Sequence, residues 1–133
     1  QAQTNSVSDI TNKPSITKSP GNFLNLGAKI YEQHCEQCHQ AQGQGVTHAY
    51  PALAQNRAVL LSDPTNLVQA VLYGGYPAAT TLNPRPFGMP PFVLTLEDRE
   101  IAAVLTHLRS QWGNQAAEVT PLQVNRIRAL QGR

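Results

Sequence analysis

Both cysteines of this chain lie within five residues, Cys35-Glu36-Gln37-Cys38-His39. On a helical turn, residues three and four positions apart share a face, so Cys35, Cys38 and His39 can address one flat object. Two thiols at this spacing suit thioether bonds to the two vinyl groups of a porphyrin, and the next residue sets an imidazole nitrogen beneath the iron. One covalently attached haem c is therefore the expected cofactor. Three other readings stay open on the motif alone. A zinc site would have to recruit two of His34, His39, His48 and His107, and the chain has no second ligand pair at zinc spacing. A thioredoxin-like dithiol expects a preceding strand in a βαβ setting, which this strand-poor sequence does not offer. A plain disulfide leaves His39 without a role.

The second axial ligand is expected from Met89, the only methionine, fifty residues after His39 and flanked by Gly88 and Pro90. Met89 belongs to a long segment punctuated by Pro77, Pro84, Pro86, Pro90 and Pro91, where no regular element can persist. So long an irregular loop is unusual in a small domain unless it serves a function, and wrapping the second face of a haem would be one. A methionine alone is more often core filler, but this rigid setting favours a ligand. An axial histidine normally donates its other ring proton to a carbonyl or carboxylate, and Pro51 can supply that carbonyl. Arg57 and Arg85 are candidate cofactor-binding residues, set against the default of exposed arginines; Arg57 would pair with a haem propionate.

Four helices have to position these groups. The first is predicted over about 22–34, with Phe23, Gly27, Ile30, Tyr31 and His34 at helical spacing. Gly27 in that stripe implies close approach by another helix, since a glycine otherwise costs about 1 kcal/mol in a helix interior. Ser62-Asp63-Pro64 starts a second helix running to about Tyr73, with Leu67, Val68, Val71 and Leu72 as its buried stripe and Gly74-Gly75 as its stop. Thr95 through Asp98 resembles a capping box for a third, running to about Trp112 and burying Ile101, Val104, Leu105 and Leu108. His107 falls at the edge of that stripe as a packing residue. Thr120-Pro121 signals a short last helix with Val124, Ile127 and Leu130 on one side, while Arg126, Arg128 and Arg133 form a solvated basic end facing no nearby acids.

Length fits one domain over residues 22–133, preceded by a polar arm over 1–21 rich in Ser, Thr, Asn, Gln and Pro and expected to be flexible. A net charge of +2 is too small to suggest nucleic acid, and no apolar run approaches the ~20 residues of a membrane-spanning helix. Covalent haem attachment belongs to an oxidising compartment, so Gln1 is expected to begin a mature, periplasmic form whose signal peptide has been removed.

With these elements in place the chain resembles the class I c-type cytochromes over roughly residues 23–113, and its C-terminal run from Leu105 to Asn114 is similar to haem domains in cytochrome subunits of bacterial alcohol and gluconate dehydrogenases. The resemblance implies an all-α, cytochrome c-like fold of three core helices plus a short C-terminal helix around one haem. It makes Gly27 and Tyr31 the glycine and aromatic of the first helix, crossing a position where His107 replaces the family's aromatic and Trp112 can supply the missing bulk. It also implies redox protein partners, a periplasmic dehydrogenase as donor and an oxidase or another cytochrome as acceptor.

With His39 and Met89 on the iron no position stays open for oxygen or peroxide, so electron transfer without catalysis is expected. The alternative is a haem enzyme or gas sensor, peroxidase-like, with a displaceable Met89. Between Gln33 and Pro51 the only acid or strong base is Glu36, and between Gly74 and Leu96 it is Arg85. A small, neutral docking patch drawn from Val46, Pro86 and Phe87 follows.

Overall fold

The computed structural model describes residues 20–75, 81 and 88–131. The expected arm over 1–21 lies outside them apart from Pro20 and Gly21, which open the first helix. Among the described residues six helices follow in order: α1 Pro20–His34, α2 Glu36–His39, α3 Arg57–Leu60, α4 Thr65–Tyr73, α5 Asp98–Ser110 and α6 Pro121–Gln131. Two of them, α2 and α3, are single turns of four residues. The predicted core helices are thus α1, α4 and α5, followed by the C-terminal α6, which at 11 residues is longer than the 9 of α4.

The most extensive helix contact is between α1 and α5. It is made at Gly27, where an added Cβ would stand 2.2 Å from the Ala103 carbonyl oxygen and 3.1 Å from the His107 Cβ. Only a residue without a side chain lets the two backbones meet. Around that point Ile30 and Tyr31 of α1 pack on Ile101, Val104, Leu105 and Leu108 of α5, all buried. Phe23 is half-buried and His34 exposed, so the expected stripe of α1 is narrower than its spacing suggested.

His107 stands at the crossing as an aromatic. Its ring centroid lies 5.5 Å from that of Tyr31 and 5.7 Å from that of Trp112, with Tyr31 and Trp112 5.1 Å apart, distances at which tilted rings attract. Trp112 reaches this cluster because α5 stops at Ser110, two residues earlier than expected, and the backbone turns left-handed at Trp112 (φ 56°).

The helix starts follow local chemistry. The Asp63 carboxylate accepts from the Thr65 backbone N–H (2.9 Å) and hydroxyl (2.6 Å), which holds its pKa below the usual value. Of the stripe expected on α4, Val68, Val71 and Leu72 are buried and Leu67 only partly. The capping box of α5 forms on Glu97 and Glu100 rather than on Thr95, because the Thr95 and Leu96 N–H groups are spent on the Phe92 carbonyl. At α6, Thr120 and Gln123 cap reciprocally.

Two expectations for α6 are corrected. Leu130 is 65% exposed, so the buried side holds only Val124 and Ile127. Arg128 is not a solvated cation facing no acid: α6 returns to the start of α5, where the Arg128 Nε lies 2.7 Å from the Asp98 carboxylate and the guanidinium also donates to the Val93 and Leu96 carbonyls. Arg126 is exposed, and Arg133 lies outside the described residues.

Two buried polar side chains fasten the segments between helices. Arg109, 1% exposed, donates to the carbonyls of Val59, Leu61 and Ala117, joining α3 to the link before α6. Asn114 donates to the Leu108 and Leu53 carbonyls and accepts from the Gln55 N–H, tying the end of α5 to the loop after α2.

A methyl group at the crossing has to push α5 away, so Gly27→Ala should destabilise the protein by about 1–3 kcal/mol, the usual cost of overpacking, read as a lowered denaturant midpoint. Burial also holds the His107 pKa below its ordinary 6.5. The unfolded chain therefore binds this proton more readily than the folded one. Its contribution to stability is complete above the unfolded value and is lost as pH falls through the depressed folded value. In His107→Phe, urea midpoints should fall less between about pH 7 and pH 5 than in the parent chain; an equal fall would contradict this.

Candidate haem site

The motif is presented by the break between α1 and α2. The N–H groups of Cys38 and His39 return to the Cys35 carbonyl at 3.2 and 2.9 Å, giving the single turn that gathers Cys35, Cys38 and His39. Gln40 then ends α2 in a left-handed conformation (φ 73°) that few residues other than glycine adopt. Side-chain bonds hold it there: the Tyr31 hydroxyl donates to the Gln40 carbonyl, and the Gln40 amide donates to that of Cys38.

From this point the chain loops out and comes back. The Gly45 N–H donates to the His39 carbonyl at 2.9 Å, and those of Leu53 and Ala54 to the Gly43 carbonyl at 2.7 and 2.9 Å. The return brings the Pro51 carbonyl 2.8 Å from Nδ1 of His39. A carbonyl can only accept, so Nδ1 carries the proton and Nε2 keeps its lone pair. That is the tautomer a metal-binding imidazole requires.

The other side is built from α4 and the segment after residue 88. Gly75 and Met89 exchange two backbone hydrogen bonds of 3.1 and 2.8 Å, and the Phe92 and Val93 N–H groups donate to the Val71 and Leu72 carbonyls near the end of α4, each at 3.0 Å. Met89 is thereby fastened at a fixed place, half-buried.

Both parts face one cavity. Cys35, Cys38, His39, Tyr50 and Pro51 line it from the motif, and Ala70, Gly75, Met89, Pro90 and Phe92 from α4 and the segment after residue 88. Counting its open mouth, it encloses about 810 Å³ of space. Among the described residues that line it there is no carboxylate, lysine or arginine, and its walls are mostly apolar. The two thiols are unpaired, and burial together with the neighbouring Cys38 pushes the Cys35 thiol up to about 12. Among the described residues no three His, Cys, Asp or Glu side chains converge on a metal site, so the zinc reading gains nothing.

Two thiols, an imidazole nitrogen with a free lone pair and a thioether around an apolar slot are the donor set that a covalently attached haem needs. Arg57 is exposed at the start of α3 and does not line the cavity. Arg85 lies outside the described residues. Tyr50 and Phe92 are wall residues that the sequence did not single out, since neither belongs to a spaced motif; His34, at the cavity edge, meets the Phe92 ring edge-on at 5.6 Å.

The helices and this slot define an all-α haem protein. Residues 24–112 match the family model Cytochrome c, and the chain belongs to that family. It is 38% identical over 91 residues to the cytochrome c-552 of Thermus thermophilus, covering 66% of this chain and 69% of that protein. It is 40% identical over 92 residues to the cytochrome c subunit of a quinone-dependent alcohol dehydrogenase from Gluconobacter oxydans (strain 621H), covering 69% of this chain but 19% of that subunit. With the gluconate 2-dehydrogenase cytochrome c subunit of Pantoea cypripedii the identity is 34% over 110 residues, 81% of this chain and 25% of that subunit. The chain thus spans about a fifth to a quarter of the length of these dehydrogenase subunits. Membership of the family carries with it a covalently bound haem c, for which Cys35 and Cys38 provide the attachment motif, and a role in electron transfer.

Proposed function

We propose that this chain carries one electron at a time on a haem held by Cys35 and Cys38 and ligated by His39 and Met89, between a dehydrogenase and a respiratory acceptor in the periplasm. The observation that supports it most is the 2.8 Å bond from His39 to Pro51, which leaves Nε2 free in the cavity that Met89 also lines. The haem supplies the change of iron charge, and the chain decides how favourable that change is. A thioether ligand and walls without charge both favour the less charged, reduced metal and so raise the potential. Arg57, exposed and near the start of α3, remains a candidate for the propionates, and Arg85 another.

Relatives named as subunits of alcohol, gluconate and fructose dehydrogenases support a dehydrogenase as donor. The resemblance to exported c-type cytochromes supports a periplasmic location. A haem iron held by both His39 and Met89 would offer no place for substrate, which favours a carrier over an enzyme. Among the described residues no helix is long and apolar enough to cross a membrane.

Two measurements test this. Met89→Ala should abolish the weak sulfur-to-iron band of the ferric protein, lower the potential and open the reduced iron to carbon monoxide; an unchanged spectrum removes Met89 from the ligands, and rapid carbon monoxide binding by the parent protein favours the sensor or enzyme. Docking is expected to be neutral, with Val46, 41% exposed beside the cavity loop, as its described contact residue. The rate of electron transfer to a partner should then change little as salt is raised, and a steep fall would reject a neutral patch.

A further inference from the structure

The methionine reading leaves open what sets the depth at which Met89 enters the cavity. The structure assigns that task to Gly74, as a positioning residue at the end of α4, a step that rests on Met89 being the ligand. Gly74 adopts a left-handed conformation (φ +67°) and its N–H closes α4 on the Ala70 carbonyl. An added Cβ would stand 2.4 Å from the Met89 carbonyl oxygen and 3.0 Å from Pro90 C and Pro91 N. These are backbone atoms, so they cannot swing aside as a side-chain tip can.

The same Met89 carbonyl accepts from the Gly75 N–H at 3.1 Å, while the Met89 N–H donates to the Gly75 carbonyl at 2.8 Å. Met89 is therefore pressed on Gly74 and bonded to Gly75 at once, and its backbone has one seat. Its neighbour Gly75 differs: among the described residues a Cβ there meets nothing within 4 Å. Bare space at Gly74 is what lets the segment carrying Met89 lie down on α4.

The test compares two single variants of the haem-loaded protein. Gly74→Ala should lose or shift the sulfur-to-iron band and lower the potential while the thioether bonds and His39 ligation persist. Gly113→Ala imposes the same kind of backbone strain (φ +85°) away from the cavity, against the side-chain amide of Gln55, and should lose stability while keeping the band. A Gly74→Ala protein that keeps band and potential, with a stability loss like that of Gly113→Ala, overturns the assignment. Should Gly74→Ala not fold, amide exchange in the parent protein decides: Met89 and Gly75 N–H groups protected together support the seat, and free exchange at Met89 overturns it. Met89→Ala run alongside separates the two levels, since a band that survives there refutes the ligand itself rather than its seat.

Discussion

Everything in this fold is referred to the contact of α1 with α5 at Gly27. Because two backbones touch there, the end of α1 is held at a fixed distance from the last core helix, and the break that follows it inherits that precision. Cys35, Cys38 and His39 come directly after the break. Close packing transmits position with little slack, so a cofactor motif placed about two turns beyond the tightest contact is held as firmly as the core itself.

Two different devices then converge on the slot. On the motif side, a non-glycine residue in a left-handed conformation, Gln40, is held by the Tyr31 hydroxyl and allows the chain to circle back with the Pro51 carbonyl. Opposite in the sequence, α4 presents its C-terminal end as a seat for residue 89. The first device fixes which nitrogen of His39 is free. The second fixes where a sulfur can be. Neither adds a carboxylate, lysine or arginine to the described walls of the cavity.

Much of this was legible in the sequence because its carriers repeat at structural spacing. The Cys-x-x-Cys-His run, the glycine in the stripe of α1, the stop after Tyr73 and the Pro51 carbonyl all follow from local geometry. What escaped has the opposite character. Arg109, Asn114 and Arg128 bond backbone carbonyls from elements far away in sequence, and a polar side chain aimed at a distant carbonyl leaves no period to read. Arg128 looked solvated because its acid, Asp98, is thirty residues distant. The capping box expected on Thr95 forms instead on Glu97 and Glu100, because of a turn at Phe92 that only the packed chain reveals. Leu130 failed for a simpler reason, since α6 ends beyond the surface it packs against.

Asn114 has a consequence in time as well as in space. Its bonds to Leu53 and Gln55 span about sixty residues, so the loop bearing the Pro51 carbonyl cannot be fastened until most of the domain exists. Contacts of such separation are entropically costly and form late, whereas a chain made from its N-terminus has Cys35 and Cys38 at hand early. Closure of the loop around the thiols is thus coupled to the end of α5, about sixty residues away, and not to the motif alone.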